Sequence, residues 1–397
     1  MVSNRCIWKL DNTFKLLLEH KRFNPIIAVV PYTYYGETVM KKEMTNTTAF
    51  FTEKGYPTVS SFDEGRWLDI RETLQPDIVF FTNPHAKTRP EYEIKSFLDT
   101  LTVYVPYHHQ FCTHHGLQLD ELFHNVTWKN FYVHPIIKTI TSEAVMNKGR
   151  NVVITGFPGT ELFYDKGYRP KDVWKIKDRR LKRVILAVHH TVKDDDGMAL
   201  STFVEHAQSY QQLAIDYKDR LQIAFKPHPI LKNKLYEHPQ WGKVRTDAYF
   251  TFWAEQENTQ LEESAYEDLC LTSDGMIHDC GSFILEYLYL NKPVLYTGRA
   301  GVRERLNSLA QMAYDAHSKL EAQPFSAVKA FVDKVVIQGN DPMEQQRKQF
   351  RDAHLLPADG IIPSQKIVDY LTNTLSVNVS EKEGKAYDHR KKRANNG

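Results

Sequence analysis

Residues 271–296, LTSDGMIHDCGSFILEYLYLNKPVLY, decide how the rest of the chain is read. A short apolar run, Leu269–Thr272, leads into an acidic stretch with Asp274 and Asp279. A small-residue turn, Cys280–Ser282, then opens a helix to Leu290, and Lys292-Pro293 introduces a second apolar run, Val294–Tyr296. Strand, acidic turn, helix and strand in that order form a ligand-binding edge of a parallel α/β sheet. The spacing predicts that Ser282 caps the free N–H groups of the first helical turn. Such a helix start attracts anions, so a phosphate or diphosphate is the expected guest. Glu286, one turn further along a similar face, is placed to accept hydrogen bonds from sugar hydroxyls. An ordinary capped helix with a surface glutamate is the plain alternative.

The same alternation extends outward. Before the quoted stretch, Val184–Val188 and Gln222–Phe225 are strand candidates flanking a helix near Leu200–Tyr217. Further upstream, Pro25–Pro31, Asp77–Thr82, Leu101–Val105 and Val152–Thr155 are strands, separated by helices near Thr13–Lys21, Glu37–Lys54, Leu68–Leu74 and Tyr92–Thr100. Alternation of this kind argues for parallel sheets covered by helices on both faces. Helices dominate after Val302, near Ala327–Val336, Met343–Ala353 and Gln365–Thr374. With 397 residues, two units fit better than one. The expected division is a Rossmann-like acceptor-side domain over 1–165, a charged linker over 166–182, a Rossmann-like nucleotide-donor domain over 183–375, and a disordered charged tail over 376–397. Ligands would sit in the cleft between the two. The chain opens almost directly on a helix, so a missing first strand, or membership of a longer parent chain, is expected.

Composition removes several classes. A net charge of +2 makes no case for nucleic acid. No apolar run reaches membrane-spanning length, and the first residues lack a signal-peptide layout. Four cysteines (Cys6, Cys112, Cys270, Cys280) show no metal-type spacing and suit a reducing cytoplasm. The HRKKR run of the tail is the feature suited to peripheral contact with anionic lipid at the inner face of the membrane; a solvated chain end is the simpler reading. There is no G-x-x-x-x-G-K-S/T, G-x-G-x-x-G or G-x-S-x-G, which disfavours ATPases, simple dinucleotide folds and serine hydrolases of that type.

Six of the 17 histidines fall between His108 and His134, directly after the Leu101–Val105 strand. Histidine at a strand's carboxyl end serves as a base near neutral pH or as a cation facing phosphate. His115-Gly116 is the sharpest candidate, because the glycine permits a tight turn that presents the imidazole. Metal binding lacks a His-Glu-x-x-His or comparable spacing, so no metal is assigned. Lys226 and His228 in FKPHP, and His189-His190-Thr191, end two strands of the second half on the same rim as Asp274, Asp279, Ser282 and Glu286. This convergence outweighs any single motif. Asp194-Asp195-Asp196-Gly197 is read as a helix cap rather than a metal-binding Asp-x-Asp.

FKPHP followed by SDGMIHDCGSFILEYLYLNKPVLY resembles the donor-binding half of the CDP-glycerol glycerophosphotransferases, the teichoic-acid polymerase and primase family with capsule-cluster relatives. NVVITGFPGTELF (Asn151–Phe163) is similar to that family's G-Y-P-x-x-D stretch, with Glu161 in place of the aspartate. Thr113-His114-His115-Gly116 resembles its T-W-H-G motif, with His114 in place of the tryptophan. The resemblance is close over 184–297, looser over 25–163, and only architectural beyond Gly298. It implies a GT-B fold and attack of an acceptor hydroxyl on the β-phosphate of a CDP-linked alcohol, releasing CMP with no obligatory cofactor or metal. The implied acceptor is a glycan or polyol phosphate. Ser282, Lys226 and His228 would hold the diphosphate, with His189, His190, Asp274 and Asp279 on the same donor-binding rim. Glu286 would hold the ribose and His115 would be the base, with His108 and His109 as alternatives. Two other readings stay open: a GT-B transferase using a nucleotide sugar, and a non-catalytic nucleotide-binding half of a longer synthase.

Overall fold

The computed structural model describes residues 1–193, 199–263, 266–319 and 325–375. The Asp194–Gly197 turn and the tail from Ser376 lie outside these described residues. In chain order, β1 (Ile27–Val29) and β2 (Thr58–Ser60) pair in parallel, and β3 (Phe62–Asp63) and β4 (Arg66–Trp67) form a small hairpin. Next come β5 (Ile78–Phe81), β6 (Leu101–Tyr104), β7 (Lys129–Tyr132) and β8 (Val152–Ile154), a parallel sheet in sequential order. The second half supplies β9 (Lys182–Val188), β10 (Leu221–Pro227), β11 (Thr259–Leu261), β12 (Gly275–His278), β13 (Val294–Tyr296) and β14 (Ser318–Lys319). These six are all parallel, in the order β11-β10-β9-β12-β13-β14.

That order runs outward from β9 in one direction and then restarts with β12 on its other side. Connections to the left and right of β9 therefore part company at its carboxyl end and leave a crevice there, the usual ligand position in open α/β sheets. Strand β9 shows why the sheet is covered twice. Ile185 and Ala187 join a core with Ala224 and Met276. Val184, Leu186 and Val188 face the other way, against Phe203, Leu213 and Ile223. A period of two with apolar residues on both faces requires helices on both sides.

The quoted stretch folds with one shift. Leu269–Thr272 is not a strand: it lies in the helix Glu267–Thr272, and the strand is β12, six residues later. Glu267 and Asp268 in the first turn favour that helix. The Gly-Met-Ile-His run becomes a strand only by pairing with β9 and β13. After Ser282 there is a single α-turn, Phe283–Glu286, continued by a 3-10 turn, Tyr287–Leu290. Tyr92–Thr100 is likewise two short 3-10 turns, Pro90–Tyr92 and Ile94–Phe97, rather than one helix.

The helical residues 363–375, expected with the second half, return to the first. Ile367 and Leu371 pack with Val103, Val105 and Phe131. Glu161 secures them: its carboxylate accepts the Ser364 N–H at 2.6 Å, the Ser364 hydroxyl at 2.9 Å and the Asn12 amide at 2.8 Å. The position matched to a family aspartate thus anchors two distant chain segments.

Candidate functional site

The crevice beside β9 is built from three strand ends. His189 and His190 leave β9, His228 leaves β10, and Asp279 leaves β12. The His228 N–H donates to the Val188 carbonyl at 2.9 Å, which holds the two loops together. The three imidazoles meet with ring centres 4.2 Å (His189–His190), 4.3 Å (His190–His228) and 5.1 Å (His189–His228) apart. All three are half-buried, and one nitrogen from each lies within 4.8 Å of the others. Burial holds the pKa values of His189 and His228 well below the ordinary range, and the His190 imidazole adds to both shifts. Neutral N–H donors of this kind suit an anion, which would draw protons onto them. The same spacing could also suit a single transition-metal ion.

Asp279 organises the rim from beneath. Its carboxylate accepts the His189 N–H at 2.6 Å, the Ser201 hydroxyl at 2.6 Å and the Thr202 N–H at 3.1 Å. It is 1% exposed, and burial raises its pKa to about 6. It acts by positioning the His189 loop and the start of the helix Phe203–Asp216, not by facing a ligand. Asp274 requires a correction. It precedes β12 at the amino edge of the sheet, where its N–H donates to the Arg183 carbonyl at 2.7 Å and its carboxylate accepts the Arg183 N–H at 2.8 Å. Parallel pairing puts this edge opposite the histidines, so Asp274 is not part of the donor rim.

Lys226 lies at the end of β10 with its ammonium 5.5 Å from the Tyr266 ring centre, and burial pulls its pKa down. Tyr266 also bonds the Glu286 carboxylate and accepts from Lys9 Nζ at 2.8 Å. Glu286 is only 2% exposed, and burial raises its pKa. The glutamate expected on a surface is therefore an internal partner of a tyrosine. Ser282 makes no capping bond; its backbone is already helical, so its hydroxyl is not turned onto the first-turn N–H groups. Sequence reading missed Lys9, Tyr266 and Ser201, because each depends on chain-distant neighbours.

The histidine loop crosses from the first sheet to the second half. The Thr113 N–H donates to the Arg305 carbonyl at 2.9 Å, the Asn307 N–H donates to the Phe111 carbonyl at 2.9 Å, and Cys112 bridges Leu306. Phe111 lies directly over Gly281: a Cβ there would come 2.3 Å from the ring. The glycine is needed for this approach. His115 begins the one-turn helix His115–Gln118, half-buried, with a buried Nδ1 that makes no hydrogen bond among the described residues. His108 bonds the His109 carbonyl at 2.6 Å. His109 corrects another expectation: it is 1% exposed, its ring centre lies 4.4 Å from that of Phe157, and burial drives its pKa down to about 3. It is a core residue and not a usable base.

Comparisons with known proteins identify the family and the fold. The CDP-glycerol:poly(glycerophosphate) glycerophosphotransferase family model matches residues 111–373. Among curated proteins, the chain is similar to the teichoic acid ribitol-phosphate polymerases TarL and TarK of Staphylococcus aureus (strain NCTC 8325 / PS 47). TarL is 26% identical over 186 residues, covering 46% of this chain and 31% of the relative. TarK is 26% identical over 189 residues, covering 46% and 34%. The chain thus spans about a third of the length of the curated relatives it matches. Among solved structures, S. aureus MnaA with UDP superposes with a TM-score of 0.58 at 16% identity, covering 94% of each chain. The UDP-GlcNAc 2-epimerase of Neisseria meningitidis bound to UDP-GlcNAc gives 0.58 at 14%, covering 93% of this chain and 96% of that one. At these identities the likeness establishes the fold, which is of the GT-B type.

Proposed function

Because this chain belongs to the CDP-glycerol:poly(glycerophosphate) glycerophosphotransferase family, we propose that it transfers a glycerol-phosphate or related polyol-phosphate unit from a CDP-linked donor to an acceptor hydroxyl in teichoic-acid or capsule synthesis. The observation that carries this reading is the meeting of His189, His190 and His228 at the crevice beside β9, with Lys226 at the end of the neighbouring strand.

In this reading the acceptor oxygen attacks the phosphorus that bears the polyol. The bond from that phosphorus to the bridging oxygen breaks, and its electron pair leaves with CMP. The acceptor proton passes to His115, while Lys226 and His228 offset charge on the departing phosphate. Ser282 and the His189–His190 pair complete the diphosphate site. Glu286 reaches the ribose only if the nucleotide displaces Tyr266. No obligatory metal is assigned. Among the described residues no helix is long and apolar enough to cross a membrane. The reading places the chain on the cytoplasmic side, in peripheral contact with the membrane where its acceptor is held.

Incubation with CDP-glycerol or CDP-ribitol and an oligomeric acceptor should release CMP. His228→Ala should lower the rate by about 10²–10³-fold, and His115→Ala by about 10²–10⁴-fold. Full activity in both variants would end this mechanism. A nucleotide-sugar donor is the second reading, favoured by the UDP and UDP-GlcNAc bound to the fold relatives. Phosphorus NMR of the product separates the two, since a phosphodiester forms only in the first. Cytidine nucleotide binding without turnover of any donor would instead indicate a non-catalytic binding half.

A further inference from the structure

Lys9 starts in the first half of the chain, just ahead of the helix Asp11–Glu19, and its ammonium group ends in the second half. Its stem is laid along the Pro158–Phe163 turn: a Cβ on Gly159 would stand 2.9 Å from Lys9 Cδ, so the glycine leaves room for the lysine. The same segment is pinned three residues later, where the Asn12 amide donates to Glu161 at 2.8 Å. Lys9 Nζ donates to the Tyr266 hydroxyl at 2.8 Å and lies 4.4 Å from the centre of that ring. Lys226 approaches the same ring at 5.5 Å from the end of β10. Two ammonium groups, one from each half, therefore share one tyrosine. Burial lowers the Lys226 pKa, Glu262 opposes the fall and the Lys9 charge adds to it.

The Tyr266 hydroxyl holds two partners at once. It donates to the buried Glu286 carboxylate and accepts from Lys9. Toward Glu286 it behaves as a ribose hydroxyl would, and toward Lys9 as a phosphate oxygen would. Burial raises the Glu286 pKa, and the Lys9 charge opposes the rise. Tyr266 is only half-buried, whereas Glu286 is fully enclosed, so the tyrosine is the member of the trio that can move. A neutral phenol is a poor partner for two ammonium groups; a phosphate oxygen forms charge-assisted bonds about twice as strong as neutral ones. Lys9 also precedes residues 111–373, so the family match does not cover it.

We infer that Lys9 is a donor-binding residue: when a nucleotide displaces the Tyr266 hydroxyl, the Lys9 ammonium passes to the nucleotide's phosphate beside Lys226, and donor binding ties the first half of the chain to the second. The identity of the nucleotide rests on the transferase reading above. The test is titration calorimetry on the full chain with CDP, CMP and cytidine. Lys9→Met keeps the stem on Gly159 and should weaken CDP and CMP by about tenfold or more while cytidine is unchanged. Lys9→Arg should recover much of that loss. Tyr266→Phe removes the competing hydroxyl, keeps the ring and should tighten CDP severalfold. Equal CDP affinity in wild type and Lys9→Met overturns the inference. Equal losses for CDP and cytidine, the mark of a lysine that only tethers the halves, overturn it as well, and so does weaker CDP binding in Tyr266→Phe. Parallel titrations with UDP and UDP-GlcNAc separate this from the transferase reading. Lys9-dependent binding of a uridine nucleotide with none of CDP would sink the cytidine donor and keep the lysine's role, whereas CDP binding indifferent to Lys9 would sink the lysine alone. Wild type that binds no nucleotide at all overturns both.

Discussion

Asp279 ties three backbone and side-chain donors to one buried carboxyl group, and its titration can be measured. Its pKa is raised from 3.8 to about 6 in the folded chain. A carboxyl group shifted upward contributes stability that is full below the unfolded pKa and is lost as pH rises through the folded one. Wild type should therefore gain roughly 2 kcal/mol over Asp279→Asn as pH falls from 7 to 4. Urea midpoints of both proteins across that range check it; parallel curves would show that Asp279 titrates normally. The histidine cluster makes the opposite use of burial. His189 and His228 are held neutral in the free protein, and a bound diphosphate would raise their pKa values. Donor binding at pH 6–7 should take up protons, and affinity should weaken as pH rises through the raised values. Calorimetry in buffers of different ionisation heat measures the uptake directly; heats independent of buffer would remove the histidines from the diphosphate. Glu286 was legible as an acidic residue on the first helical turn, but its pairing with Tyr266 and Lys9 was not. That pairing joins residues 9, 266 and 286, which no local pattern relates.

At the scale of elements, the histidine loop and the returning C-terminal helix decide how the halves communicate. Phe111 seats on Gly281 while the neighbouring backbone pairs with Arg305 and Asn307. Gly281→Ala would push the ring away at a cost of about 1–3 kcal/mol. It should cut turnover more than donor affinity, since it displaces the loop that bears His115. Comparison of kcat with the CDP thermal shift in that variant distinguishes the two; equal losses would mean the glycine serves the donor site instead. Glu161→Ala removes three hydrogen bonds from the segment that holds residues 363–375. It should cost about 2–4 kcal/mol and speed amide exchange in those residues ahead of the sheets. The strands β5, β6, β9 and β10 were legible because apolar runs of four to seven residues lie between turn signals. Strand β7, Lys-Asn-Phe-Tyr, was missed: Asn130 is buried and its amide donates to the His124 carbonyl, a partner that a polar residue in a sequence does not announce.

Over the whole molecule, one apolar cluster runs through both halves, from Val79 and Tyr132 to Cys280 and Leu285. The crevice is therefore set by a shared core as well as by the linker. If the three imidazoles serve the diphosphate directly, a chelator should leave CMP release unchanged; loss of activity restored by zinc would assign them to a metal. The alternation of apolar runs and amphipathic segments by itself determined two parallel α/β sheets. The His-His-Thr and Lys-Pro-His-Pro strand ends determined a polar rim on the second of them, because strand periodicity and turn chemistry are local properties of a chain. Strand order was not local. Only pairing of β10 against β9 placed His189, His190 and His228 together, and pairing of β12 against β9 set Asp279 beneath them and Asp274 at the far edge. Burial was not local either: it turned Glu286 and His109 from candidate ligands into internal groups, because the desolvation of a charge depends on everything packed around it.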